Sequence, residues 1–240
     1  MKVALAQVAP QLVAKEANLA KIEKTVAKAG ADLAMFGEMF LTGYMARDAF
    51  PRLAEPVPGP ATERLARIAT EYGTHVLVGM PERDAKGRHL FNTSVLVAPD
   101  GKLWKYRKIH PANFGPFEEG LYFGRGSDLV LAETKLGKLG LMICYDAFFP
   151  EIAKAYALQG ADALAIISAG PATSKAFFDK ILPARAIENT IFVLYTNLVG
   201  TELNIVQEGL PDAIPVEACY LGWQDSLRNL ASLVEPEINQ

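Results

Sequence analysis

Short apolar runs alternate along this chain with stripes of helical period. Val3–Val8, Leu33–Phe36, Val76–Met80 and Ala163–Ile167 are runs bounded by polar or breaker residues, the pattern of strands buried on both faces. Between the first two, Leu19, Ile22, Val26 and Ala29 recur at spacings of three, four and three and predict a helix over Ala17–Ala29, with Gly30 placed to cap it. Leu65, Ile68, Ala69 and Tyr72 predict a second helix over Ala61–Tyr72, and Ile152, Ala153 and Tyr156 a third over Phe149–Leu158. Ser174–Asn189 reads as helical despite Pro183, and Ile191–Tyr195 as a strand.

Two segments predict hairpins. Leu90–Val97 and Lys102–Ile109 flank Ala98-Pro99-Asp100-Gly101, where glycine suits a left-handed turn position. Leu129–Ala132 and Leu139–Ile143 flank a Lys135–Lys138 turn containing Gly137. Strands alternating with helices at both ends and hairpins between them predict a mixed α/β sandwich with helices on its outer faces. From Thr201 to Gln240 the pattern weakens, broken by Pro211, Pro215 and Pro236. Helical spacing returns only at Leu227, Leu230, Ala231 and Val234, so a short amphipathic helix is expected there, and no hairpin over 208–225.

Composition narrows the function classes. The chain has 240 residues, half of them hydrophobic, which allows a large core, and a formal net charge of −3. There is no Lys/Arg block or basic tail, so nucleic acid is not an expected partner. No apolar stretch reaches 18 residues and the N-terminus lacks a signal-peptide pattern, so no membrane association is expected, and a cytoplasmic location is. Two cysteines, Cys144 and Cys219, make no secreted disulfide framework. No His/Cys/Asp cluster has ligand spacing and no phosphate-loop motif occurs, so neither metal nor cofactor is expected.

Three chemically loaded residues fall at strand ends, where α/β sheets gather reactive groups. Glu38 sits among Met35, Phe36, Met39, Phe40 and Leu41. Desolvation there would raise its pKa toward that of a usable base, although a structural ion pair fits the same pattern. Lys108 shares a strand face with Trp104 and Tyr106, while Lys105 and Arg107 fall on the other. An inward ammonium could stabilise developing negative charge, and a snorkelling lysine is the plainer alternative. Cys144 ends a strand shortly before a helix, a turn that exposes a nucleophile, but buried cysteines are often inert core residues. Among the histidines only His110 is placed to serve a Cys–His hydrolase, and it serves equally as a hydrogen-bonded support.

Taken in order, these segments resemble the nitrilase superfamily of carbon–nitrogen hydrolases. The matching pieces are Gly37–Tyr44, Tyr106–His110, Gly115–Glu119 with Tyr122-Phe123, Cys144–Asp146 with Phe149–Glu151, Arg185–Asn189 and Asn197–Gly200. The resemblance implies a four-layer α-β-β-α sandwich, found as a homodimer or a larger homo-oligomer. It assigns Glu38 as base, Lys108 as transition-state stabiliser, Cys144 as nucleophile and Glu119, rather than Glu118, as a positioning glutamate. Cys-Tyr-Asp is similar to the amidase branches, which implies a small carboxamide substrate and water as the only partners of the reaction. Tyr44, Phe114, Tyr145, Phe148, Ala169 and Phe177 are the expected pocket residues. The resemblance covers 1–200; the departure over 201–240 marks a divergent tail, or a reading-frame shift near Val206–Glu208.

Overall fold

The computed structural model describes residues 1–114 and 117–198. The chain opens with β1 (Val3–Ala6), α1 (Lys15–Ala29) and β2 (Leu33–Phe36). A 3₁₀ segment (Tyr44–Ala49) and the one-turn α2 (Phe50–Leu53) lead into α3 (Pro60–Tyr72), followed by β3 (His75–Arg83), β4 (Leu90–Val97) and β5 (Leu103–Arg107). The one-turn α4 (Glu119–Tyr122) then precedes β6 (Leu131–Thr134) and β7 (Gly137–Ile143). A 3₁₀ turn (Cys144–Phe148), α5 (Pro150–Leu158), β8 (Ala163–Ser168), α6 (Lys175–Asn189) and β9 (Phe192–Asn197) follow among the described residues.

The strands form two sheets, ordered β1-β2-β3-β4-β5 and β6-β7-β8-β9. Pleating divides the apolar runs of the first sheet. Leu33, Met35 and Leu77 join the core between the sheets, whereas Ala34, Phe36, Val76 and Val78 pack on Leu19, Ile22, Val26, Leu65 and Ile68 of α1 and α3. The second sheet carries α5 and α6 on its far side. The ring of Tyr156 lies on Gly140, where a Cβ would come within 2.7 Å of it, and Phe178 packs 5.1 Å from Tyr195. The architecture is therefore an α-β-β-α sandwich. Burial of α1 and α3 supplies their hold on the sheet, about 1.5–3 kcal/mol for each fully buried Leu or Ile.

Several boundaries differ from the sequence expectation. β1 stops at Ala6 instead of Val8, because the Gln7 N–H turns back onto the Leu5 carbonyl (3.0 Å). β6 begins at Leu131, two residues late, since the Val130 amide is taken by the Tyr156 hydroxyl (2.9 Å). β3 runs on to Arg83, and β9 ends at Asn197. The Ala98–Gly101 turn closes as expected, with Val97 opposite Leu103. The tail, Cys219 and the anticipated helix over Leu227–Val234 lie outside the described residues, as do Gly115 and Pro116.

Parallel pairing within each sheet brings the ends of β2 and β3, and those of β7, β8 and β9, to one end of the sandwich. Two antiparallel pairings, β3 with β4 and β4 with β5, put the start of β4 and the end of β5 there too. At the opposite end a groove of about 470 Å³ runs past Asp32, His75, Trp104 and Lys135, away from these strand ends.

Candidate active site

Glu38 leaves β2 on a tight turn. Its amide donates to the Ser168 carbonyl of the second sheet (3.2 Å), and Met39 adopts a left-handed φ of 53°. Gly79 of β3 lies directly beneath. A Cβ there would sit 2.4 Å from the Met39 nitrogen and 2.7 Å from the Glu38 Cα, so the absence of a side chain is what lets the turn rest on the sheet. The carboxylate is fully buried. Its Oε1 accepts from Lys108 Nζ and Asn92 Nδ2, both at 2.7 Å, and Oε2 accepts from the Ala169 N–H at 2.9 Å.

Lys108 follows the last residue of β5, and its amide donates to the Asn92 carbonyl (2.8 Å). Its side chain enters the core with Tyr106 and is fully buried, while Lys105 and Arg107 turn to the other face and bind Glu82. Nζ bridges Glu38 Oε1 and Glu119 Oε1 at 2.7 Å each. Glu119, at the start of α4, also accepts from the Tyr44 hydroxyl (2.5 Å) and the Ala112 N–H (3.1 Å). Glu118 instead stays half-exposed, 4.0 Å from Arg47.

Cys144 follows β7 with a left-handed φ of 45°, a conformation that side chains other than glycine rarely adopt and that strain theory associates with functional turns. Cys144 is buried, 7% exposed as a residue. Tyr145 occupies the first turn of the 3₁₀ segment, where an amide has no acceptor within its own helix. The turn is held from two sides. Asp146, fully buried, accepts from the Tyr106 hydroxyl (2.8 Å) and from the His110 amide (2.8 Å), and its Oδ1 lies 3.0 Å from His110 Nδ1. Arg185 of α6 donates Nε to the Ala147 carbonyl (2.9 Å). His110 is thus engaged by Asp146 and stacks on Phe149 at 3.5 Å, the support role rather than that of a thiol's base.

The electrostatics follow from two carboxylates and one ammonium sharing a dry space. Burial raises the Glu38 pKa above its ordinary 4.5; the Lys108 charge opposes and Glu119 reinforces that shift. Burial alone would lower Lys108, but Glu38 and Glu119 outweigh it and hold the ammonium charged. Burial pushes the Cys144 thiol well up, and Glu38 adds to this against the pull of Lys108 and a Ser168 hydrogen bond. A neutral thiol beside a carboxylate and a fixed cation suits proton transfer coupled to nucleophilic attack, without a resting thiolate.

A chain of rings borders this cluster, from Tyr44, bonded to Glu119, to Tyr145, next to Cys144 in sequence, with Phe114 between them 49% exposed. Tyr44 packs on Phe117 (6.1 Å), Phe117 on Phe114 (5.4 Å), Phe114 on Tyr145 (4.8 Å) and Tyr145 on Phe148 (5.3 Å). Four expected wall residues therefore belong to one chain of rings. Phe177 does not: it is 59% exposed, and Phe178, about 100° further round the helix, packs on Phe148 (5.3 Å). Ala169 contributes its amide to Glu38. Asn92 carries no signal in the sequence; Phe117 and Asp146 carry one only as members of the matching Gly115–Glu119 and Cys144–Asp146 pieces, and Ser168 only as the strand end before the expected pocket residue Ala169. Among the described residues no group of three or more His, Cys, Asp or Glu is placed to share a metal ion, and no helix is long and apolar enough to cross a membrane.

Comparison with known proteins agrees with this geometry in kind. The carbon–nitrogen hydrolase family model matches residues 2–211. A protein of Pseudomonas protegens described as a hydrolase in the pqqF 5′ region is 37% identical over 208 residues, 85% of this chain and 72% of the relative. A nitrilase of Pyrococcus abyssi is 36% identical, covering 84% of this chain and 76% of its own. Among solved structures, an amidase from Nesterenkonia sp. superposes with a TM-score of 0.74 at 28% identity, covering 86% of this chain and 79% of that one.

Proposed function

The chain belongs to the carbon–nitrogen hydrolase family, whose chemistry is hydrolysis of carbon–nitrogen bonds other than peptide bonds, and on that premise we propose that it converts a small carboxamide to its acid and ammonia through a thioester on Cys144. The observation that carries this reading is the buried Lys108 bridging Glu38 and Glu119 beside a cysteine on a left-handed turn. Glu38 takes the thiol proton as sulfur attacks the amide carbon. Lys108 and the Tyr145 N–H meet the developing oxyanion. Protonated Glu38 then passes its proton to the departing nitrogen, releasing ammonia and leaving the acyl group on sulfur. A water molecule, deprotonated by Glu38, attacks the thioester; the acid leaves and the thiol is restored. Glu119 holds the Lys108 ammonium in place, and Tyr44 holds Glu119. The ring-lined surroundings suit a small, mostly apolar amide.

Ammonia release from a panel of short aliphatic amides, aromatic amides, carbamoyl-amides and matched nitriles tests this. Amides are expected to turn over, and Cys144→Ala to abolish turnover while leaving the thermal unfolding midpoint within about 5 °C, since removing one small thiol costs little packing. Faster release from nitriles than from amides would replace the amide reading with a nitrile one. Turnover retained by Cys144→Ala would sink the mechanism.

A further inference from the structure

We infer that Asn92 is a positioning residue for this reaction, one that holds Glu38 and Lys108 in register and selects which Glu38 oxygen receives the thiol proton. The inference rests on the reading of Glu38 as base. Asn92 precedes the last ladder pair of β4 and β5, Thr93 opposite Arg107, and so comes to lie beside Lys108. Its backbone carbonyl accepts the Lys108 amide (2.8 Å) while its side-chain amide donates to Glu38 Oε1 (2.7 Å). One residue therefore touches both partners, 54 positions from one of them in sequence.

The distribution of bonds on Glu38 gives this contact its consequence. A carboxylate rotates broadly about its last torsion, so Lys108 alone would leave either oxygen free to face the thiol. Asn92 and Lys108 together fill Oε1, and the Ala169 N–H fixes Oε2 with one acceptor direction left over. Oε2 is then the oxygen available to take the proton. Packing does not account for the residue type. Asn92 is 1% exposed, and its Oδ1 has no hydrogen-bond partner among the described residues, a cost that an apolar side chain of the same size would avoid.

The charged and titratable groups facing Glu38 are Lys108 after β5, Glu119 on α4, Cys144 after β7, Tyr44 on the first 3₁₀ segment and Tyr195 on β9. Against that background, the Asn92 hydrogen bond favours the ionised carboxylate, so losing it moves Glu38 further up.

Asn92→Leu and Asn92→Asp both keep the branched four-atom side chain and remove the amide donor, the leucine being the bulkier; the aspartate also sets a second carboxyl against Glu38. In each, kcat is expected to fall about 10–100-fold with KM within about threefold, as for a displaced catalytic group. The acid limb of kcat/KM is expected to move up by about one pH unit. Circular dichroism establishes folding, and Asn92→Ala carries the measurement if either variant is unfolded. An unchanged kcat and acid limb in a folded variant, with only the melting temperature lowered, would overturn the inference. Glu38→Gln in the same assay separates the two readings: activity retained there defeats Glu38 as base, whereas Glu38→Gln inactive with Asn92 variants unaltered defeats Asn92 alone.

Discussion

At the scale of single residues the site is a charge-balance problem. Glu38, Glu119 and Lys108 are buried together, and one ammonium cannot fully offset two carboxylates. Glu38 is consequently held above its ordinary 4.5, first by burial and then by Glu119, against the pull of Lys108. The sign of the pH dependence follows. In the proposed mechanism Glu38 is competent as the base only when ionised, so kcat/KM should fall as pH drops through the raised Glu38 value, placing the acid limb above 4.5. Because Cys144 and Lys108 are both pushed upward, no thiol-ionisation limb should cross the neutral range. A kcat/KM profile measured from about pH 4 to pH 10 checks both statements; an acid limb at or below 4.5 would contradict the electrostatics.

At the scale of elements, strand ends do the positioning. The Glu38 turn is seated on β3 through paired bonds, Gly79 N–H to the Gly37 carbonyl (3.3 Å) and Leu41 N–H to the Gly79 carbonyl (3.1 Å). Adding a methyl at Gly79 would press it against backbone atoms, which cannot swing aside as a flexible side chain would. Gly79→Ala should therefore displace Glu38 and cut kcat by about 100-fold or more, the scale of a misplacement near 1 Å. Activity assays paired with circular dichroism check this, and full activity in a folded variant would show that the turn can yield. Strand alternation also explains why neighbouring cations differ in fate. Lys108 enters the site, whereas Lys105 and Arg107 grip Glu82 on the opposite face. Burial would raise Glu82, but its bonds from Arg107, Lys105 and Thr93 prevail and hold it below 4.5.

At the scale of the whole molecule, the site exists because two sheets meet. Glu38, Asn92 and Lys108 belong to the first sheet; Cys144 and Ala169 belong to the end of the second. Asp146 is the strut between them, accepting from Tyr106 of β5 and from His110 while standing two residues from Cys144. Tyr106→Phe removes the bond from Asp146 Oδ2 inside the core, and a buried acceptor left short of a donor costs about 1–3 kcal/mol. Chemical denaturation should show a loss of that size, with a smaller fall in activity, because the His110 bonds to Oδ1 persist. A stability change within about 0.5 kcal/mol, typical of surface substitutions, would show that the strut bears little weight.

The sequence by itself determined the strands and the four long helices α1, α3, α5 and α6, though neither their exact ends nor the one-turn α2 and α4, since hydrophobic period reports burial directly only over several residues. It also pointed to Glu38, Lys108 and Cys144, because each is a reactive type at a strand end and alternation separates Lys108 from Lys105 and Arg107. Glu119 came only through the family resemblance. Tertiary structure alone decided the rest. Asn92 reads in sequence as one polar residue in a run of Asn, Thr and Ser, and nothing local joins it to Glu38. The Ala169 contribution is a backbone N–H, which any residue would carry, aimed by a turn whose Gly170 is tied to Asn197 of β9 (2.8 Å). Phe178 replaced Phe177 because adjacent apolar residues on a helix differ by about 100° in direction, and only the packing of α6 on Phe148 and Tyr195 selects between them. Periodicity records which face of an element is buried; the partner across the core depends on how two sheets stack, and no local pattern encodes that.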